Sequence, residues 1–201
     1  MVAGRNRTDF RQQSPTEGAP ASEKTEVRVL YDNKNVYIGI RAFDSEATKI
    51  NARELVRDST FDTDDRIEIV LDTYHDRRNA FRFSVNPLGT QQDALITDEG
   101  KDINLSWDGS WISSGRIDAH GYTVEIEIPL TTLRFTEGID TWGFNVSRVI
   151  RRKNEENLWS SWQRAYGLER ISQAGELAAV GENPLLDIRG SRVYPSPRLE
   201  R

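Results

Sequence analysis

Alternation of apolar and polar residues with a period of two is the feature that most constrains how this sequence folds. It recurs at residues 27–31, 36–40, 67–71, 81–85, 122–128 and 142–146. Successive side chains of a β-strand point to opposite faces, so each run predicts a strand with one buried face. Turn-forming residues separate the runs, and no clear helical period intervenes. The sequence therefore predicts an all-β fold, an antiparallel, jelly-roll-like β-sandwich.

The two ends of the chain differ from its middle. Residues 1–24 are polar, carry two prolines and show no apolar period, which predicts an extended N-terminal arm. Residues 183–201 carry three prolines and scattered arginines, which predicts a C-terminal tail or linker. Residues 25–182 are then a single sandwich domain. The chain has 201 residues, 36% of them hydrophobic, which is enough for one packed core.

Composition excludes several classes of function. Cysteine is absent, so thiolate catalysis, disulfides and cysteine-based zinc sites are excluded. The net charge of -5 disfavours binding of nucleic acid by bulk charge, and we predict the basic run at residues 148–153 to be a solvated strand end. No phosphate-binding loop, dinucleotide fingerprint or serine-nucleophile elbow is present. The two histidines lie far apart in sequence, without a second nitrogen ligand at metal spacing.

Two groups of carboxylates are candidates for chemistry. Glu125 and Glu127 share one face of a predicted strand, about 6.5–7 Å apart at the backbone, a spacing that long side chains could tune towards a glycosidase pair. A working pair must flank the sugar from opposite sides, so we expect a solvated outer face and no catalytic role. Asp62, Asp64 and Asp65 gather before a strand, where they either hold calcium or form an acidic turn.

Four of the five tryptophans fall in two short polar segments, residues 106–111 and 157–163. Aromatic faces among hydrogen-bonding side chains suit a sugar ring, whose C–H groups pack on the ring while its hydroxyls form directional bonds. The alternative is that the indoles close the ends of the sandwich. We predict core packing for Trp111 and Trp142, and both alternatives stay open for Trp107, Trp159 and Trp162.

Several ordered blocks of the sequence carry a family resemblance. They include SWDGSW, GYTVEIEIPLTTLRF and WGFNVSRVIRRKNEENLWSSWQR, and they occupy residues 25–46, 64–76, 80–94, 106–111, 121–135 and 142–164. Together they resemble carbohydrate-binding module family 9. More closely, they resemble the subgroup that precedes an outer-membrane β-barrel in bacterial surface proteins. Such members usually open with a strand similar to Asp-Gly-x-Leu-Asp-Glu, and nothing similar precedes Thr8.

The resemblance implies a β-sandwich that binds sugars without catalysis of its own, is exported to the periplasm or cell surface, and binds structural calcium. Better-known members of the family lie beside xylanases and hold saccharide ends between tryptophans. It also implies a covalently linked barrel domain as a partner. We found no hydrophobic stretch after Met1 that would act as a signal peptide.

These observations lead to one site hypothesis and one rival. The hypothesis places a carbohydrate on Trp107, Trp159 and Trp162, with polar partners from Arg82, Asn86, Gln91, Gln92 and Asp93, and calcium on Asp62, Asp64 and Asp65. The rival is a structural or docking sandwich that packs against the neighbouring barrel and binds no glycan.

Overall fold

Two antiparallel sheets make up the structure, a computed structural model that describes residues 10–136, 139 and 141–178, and the backbone alone at 186–187 and 191–192. The larger sheet has eight strands in the order β1-β11-β10-β4-β5-β6-β7, with β12 also pairing with β10. Its strands are β1 (Arg11–Ser14), β4 (Arg66–Asp72), β5 (Ala80–Val85), β6 (Gln91–Thr97), β7 (Asp102–Asn104), β10 (Thr141–Ile150), β11 (Glu155–Leu158) and β12 (Gly175–Ala178).

The smaller sheet has six strands in the order β14-β13-β2-β3-β9-β8. These strands are β2 (Thr25–Tyr31), β3 (Asn35–Phe43), β8 (Ile112–Asp118), β9 (Gly121–Pro129), β13 (Leu186–Asp187) and β14 (Ser191–Arg192). Within the described residues the only helices are four 3-10 turns, at Ala47–Lys49, Asp98–Gly100, Arg151–Lys153 and Ile171–Gln173. None of the helices in these ranges is long and apolar enough to cross a membrane. The all-β prediction is confirmed.

The sheets pack face to face through the apolar residues that the period of two predicted. Val29, Ile38 and Ile40 of the smaller sheet and Phe83 and Phe144 of the larger sheet are at most 1% exposed and belong to one core cluster. Each such side chain stabilises the fold by about 1.5–3 kcal/mol relative to an exposed one. Trp111 and Trp142 belong to the same cluster, at 5% and 2% exposure, which confirms their predicted core packing.

The two sheets differ in what covers their outer faces. In the smaller sheet, β3 alternates strictly between buried and half-buried residues, as expected when one face meets solvent. In the larger sheet, every residue of β5 is buried, and so is all of β10 except its first residue. The segment 159–174 crosses the outer face of this sheet and packs Leu168 and Ile171 onto Val70, Ile96 and Leu158.

The ends of the described chain depart from the predicted division. Within the predicted arm, Arg11–Ser14 forms β1 and pairs with β11, while Phe10 enters the core at 6% exposure. Within the predicted tail, Leu186–Asp187 pairs with β2. The remainder of residues 183–201, apart from 191–192, lies outside the described residues.

The basic run at residues 148–153 is not the solvated strand end that we predicted. Arg148 lies on the inner face of β10, fully buried, and donates to the backbone carbonyls of Lys24 (3.1 Å) and Phe43 (2.7 Å). Its guanidinium also lies 5.5 Å from the ring centroid of Tyr122. The charge is tolerated inside because both Nη groups find fixed acceptors and the buried carboxylate of Asp44 lies 3.8 Å away, and the arginine ties the two sheets together.

Candidate functional site

The three tryptophans of the site hypothesis lie at three different places. Trp107 packs under β5, with its ring centroid 5.0 Å from that of Phe81, and is half-buried in the core. Trp159 packs beside β10, 5.8 Å from the Phe144 ring, and is also half-buried in the core. Strand β4 separates these two positions. Trp162 lies on the opposite, outer face of the larger sheet, so the structure does not bring the three indoles together.

Three of the polar partners proposed for the sugar hold loops in place instead. Asp93 is fully buried and accepts from Trp111 Nε1 (2.6 Å), the Gly109 N–H (3.2 Å) and Arg57 (2.8 Å). Its burial raises its pKa, against the lowering effect of these bonds. Gln91 donates to the Trp111 carbonyl (3.2 Å). Asn86 is likewise fully buried, and its Oδ1 accepts from two backbone N–H groups of its own turn.

The three aspartates proposed for calcium do not converge on a common point. Asp64 Oδ2 accepts from the backbone N–H groups of Arg53 (2.8 Å) and Glu54 (2.9 Å) and from an asparagine amide. Asp65 Oδ1 accepts from the backbone N–H of Arg151 (2.8 Å), while Asp62 is exposed. Among the described residues, no group of three or more His, Asp or Glu side chains could hold a metal ion. The residues do not fit a calcium ion in this arrangement, and calcium binding elsewhere stays a prediction.

Arg82 and Gln92, the other two proposed partners, lie on the outer face of the larger sheet among further polar residues. Register aligns Ser147, Glu68, Ser84 and Gln92 in one row across four strands. Adjacent rows contribute the remaining members of what we call the polar patch, which comprises Arg66, Glu68, Arg82, Ser84, Gln92, Ser147 and Glu156. Only Arg82 and Gln92 among these seven residues were predicted from the sequence to bind a sugar.

The polar patch is enclosed yet incompletely satisfied. Arg82 is 8% exposed and forms one ion pair, through Nη1 to Glu169 at 3.2 Å. Its Nε is buried and has no hydrogen-bond partner within the described parts of the chain. A buried donor without a partner costs about 1–3 kcal/mol, which a ligand oxygen would recover. The patch thus contains a buried donor that the described residues leave unpaired.

Two carboxylates lie on the same face as this donor: Glu68 is diagonal to Arg82 on the neighbouring strand, and Glu156 is on β11, three strands from β5. Glu68 pairs with Arg66 at 3.2 Å and Glu156 accepts from the Ser147 hydroxyl at 3.1 Å. Burial raises the pKa of Glu156, and the negative charge of Glu68 raises it further by a smaller amount. Carboxylates held this way accept hydrogen bonds from hydroxyl groups, and each such bond favours their ionised form.

Trp162 borders the patch. Its ring packs against the apolar cluster that contains Leu158, and Leu158 lies directly opposite Ser147 in the register. Arg11 of β1 lies over the same ring, 5.9 Å from its centroid. The outer face therefore combines an aromatic margin with acceptors and donors on a rigid sheet.

A polar, partly enclosed patch with an aromatic margin on one sheet of a β-sandwich is a candidate ligand-binding surface. The sequence profile described as "Carbohydrate family 9 binding domain-like" matches residues 6–168. The chain belongs to that family, as the resemblance of the sequence blocks indicated. The match extends the family's domain to residues before the predicted boundary at Thr25 and so includes β1.

Solved structures share the fold at low identity. A proposed carbohydrate-binding protein from Bacteroides uniformis aligns with a TM-score of 0.64 at 10% identity, covering 85% of each chain. A family 9 carbohydrate-binding module from Caldicellulosiruptor kristjanssonii in complex with glucose aligns with a TM-score of 0.55 at 16% identity, covering 91% of each chain. A module of the same family and organism in complex with cellotriose aligns at 0.53 and 15%, covering 98% of this chain and 93% of the other. No curated protein sequence matches the chain.

Proposed function

We propose that this domain binds a saccharide at the polar patch and has no catalytic role of its own. The observation that carries the proposal is the buried Arg82 guanidinium, whose Nε lacks a partner among the described residues, on the same face of the sheet as the carboxylates of Glu68 and Glu156. A sugar hydroxyl both accepts and donates, so different hydroxyls of one saccharide can bond to Arg82 and to carboxylates of this face. Trp162 at the margin would pack against the C–H face of the ring.

Family membership supports the ligand class. The related structures hold glucose and cellotriose, so these two sugars are the first probes. The supported ligand is thus a neutral hexose or a short oligomer of it. Xylan oligomers belong in the same panel, because members that the sequence resembles lie beside xylanases.

Isothermal titration calorimetry with glucose, cellotriose and xylotriose tests the proposal. We expect saturable binding to the wild-type protein and at least a tenfold loss for Arg82→Gln, which keeps a polar side chain but removes the guanidinium. Trp162→Ala should lose a similar amount if the indole contacts the ring. Arg134→Gln is the matched control, because Arg134 is exposed and lies outside the patch.

A flat titration with all three sugars, from wild-type protein shown to be folded, would overturn the proposal and favour the docking sandwich. If Arg82→Gln and wild type bound the sugar with equal affinity, the protein would bind sugar at a place other than the patch. Repeating the titration with calcium and with a chelator tests whether calcium contributes.

We also propose that the natural protein is exported and acts at the cell surface, joined to an outer-membrane barrel. Only the resemblance of the sequence supports this part. Fractionation of cells that express the full natural gene, followed by immunodetection in the outer-membrane fraction, tests it. Recovery in the cytoplasmic fraction alone would contradict it.

A further inference from the structure

The outer face of the smaller sheet has a notch at its centre. Gly39 lies in the middle of β3, and no heavy atom outside residues 38–40 lies within 4 Å of the position that a Cβ would take there. Register places Arg28 of β2 on one side of Gly39 and Glu125 of β9 on the other. The notch is part of a groove of about 390 Å³, which falls in the range of small-molecule sites.

The charged side chains around the notch are uncommitted. Within the described parts of the chain, the side chains of Arg28, Glu125 and Glu127 form no hydrogen bond or ion pair. The next row of the same face is different, since Arg41 closes on Asp118 with two bonds of 2.8 and 2.9 Å. The three charged side chains around the gap are not neutralised in this way. These groups are available to a ligand.

An apolar row borders the charged one. Leu30, Tyr37 and Ile112 share this row of the register with Glu127, and Leu30 and Ile112 are 39% and 64% exposed. The Tyr37 hydroxyl is fixed at the hairpin turn, where it donates to Asp32 (3.2 Å) and accepts from a neighbouring amide. The ring is thereby held in one orientation. The groove offers a fixed apolar wall beside a row of hydrogen-bonding groups.

We propose that this groove is a second saccharide site, which takes one or two pyranose rings of a neutral sugar. The ligand class rests on the proposed function, whereas the location does not. A pyranose ring has an apolar C–H face for Tyr37 and Leu30 and a hydroxyl edge for Arg28 and Glu125. Because two carboxylates face one arginine, a polyanion such as nucleic acid is disfavoured. The hydroxyl groups of a neutral sugar can accept from the arginine and donate to the carboxylates.

The second site would make the module bivalent. The polar patch and the groove lie on the outer faces of opposite sheets, so a single short oligosaccharide cannot occupy both. Two separate polysaccharide chains, or two distant stretches of one chain, can be held at once. Such a pair of sites raises the avidity for a polymer without new contacts.

Amide chemical shifts recorded by NMR during a cellotriose titration test the proposal. We expect saturable shifts at Gly39, Ser114 and Glu125 in wild type and in the patch variant Arg82→Gln. Gly39→Val should reduce the apparent affinity at these amides at least tenfold, because its side chain fills the notch. The variant should fold normally, since valine suits a strand and its Cβ meets no neighbour.

A second pair of variants distinguishes loss of direct contact with the sugar from an indirect effect of substitution on the sheet. Arg28→Gln should weaken the groove shifts at least fivefold, whereas Arg116→Gln, an exposed arginine on the same sheet outside the groove, should not. Saturable shifts at patch amides alone would overturn the second site and leave the proposed function intact. Shifts at groove amides alone would support the groove and refute the patch. No shifts anywhere, from folded protein, would overturn both.

Discussion

Replacing Asp65 by asparagine should change the stability of the protein in a pH-dependent way. The stability of the variant relative to wild type should be greater at neutral pH than at acid pH. Asp65 is 1% exposed, its Oδ1 accepts from the Arg151 N–H, and its Oδ2 has no partner within the described residues. Burial raises the pKa of Asp65 from 3.8 to about 6, although nearby arginines lower it. The native protein therefore binds this proton more tightly than the unfolded chain does.

The sign and size of the effect follow from that shift. A raised native pKa contributes stability that is complete below about pH 4 and is lost as the pH rises through about 6. Two pKa units correspond to about 3 kcal/mol. Asparagine does not titrate, so the free energy of unfolding of Asp65→Asn, minus that of wild type, should rise by about 3 kcal/mol between pH 4 and pH 8.

Urea denaturation followed by tryptophan fluorescence, at several pH values from 4 to 8, measures this difference. Asp62→Asn is the matched control, because it makes the same chemical change at an exposed position of the same turn. Parallel pH profiles for wild type and Asp65→Asn would refute the reasoning. Stabilisation of wild type by calcium that disappears in Asp65→Asn would instead restore the metal site predicted from the sequence.

Three further changes probe the packing. Trp111→Phe removes the indole N–H from which Asp93 accepts a hydrogen bond, and should lower the free energy of unfolding by about 1–3 kcal/mol in urea denaturation. No change would mean that Asp93 finds another donor. Gly175→Ala would place its Cβ 2.2 Å from the Trp159 ring and should cost about 1–3 kcal/mol by the same assay, unless the indole can move away. Arg148→Met removes a positive charge 3.8 Å from the buried Asp44 carboxylate and leaves two buried carbonyls unpaired, so it should lower the free energy of unfolding by about 3–5 kcal/mol. A wild-type midpoint would show that the sheets do not depend on this arginine.

The inner faces of the sandwich could be predicted because alternation is a local property of the chain. Ile38, Phe83 and Phe144 point inwards, as the period of two required, and each lies at the predicted face of its strand. Trp111 and Trp142 were predicted to pack in the core because large aromatic residues dominate cores, and both are buried. Family membership could be predicted for a related reason, because the order of the sequence blocks can be read without knowing which residues contact each other.

The candidate site could be predicted only in part. Gln92 was selected from the segment that follows a turn and Arg82 from the polar face of its strand, and the structure places both on the outer face of the larger sheet. Glu68 and Glu156 were missed, because a polar residue on an amphipathic strand is normally solvated. Trp107 and Trp159 were selected from their polar neighbours, yet their rings pack on Phe81 and Phe144.

The sequence by itself determined which side chains share a face of each strand, because that depends only on the pleat. It did not determine what each outer face meets. The segment 159–174 covers the larger sheet and turns Glu68 and Arg82 from a solvated face into an enclosed patch. The smaller sheet stays open around Gly39. Burial depends on contacts between residues far apart in the chain, and only the tertiary structure brings them together.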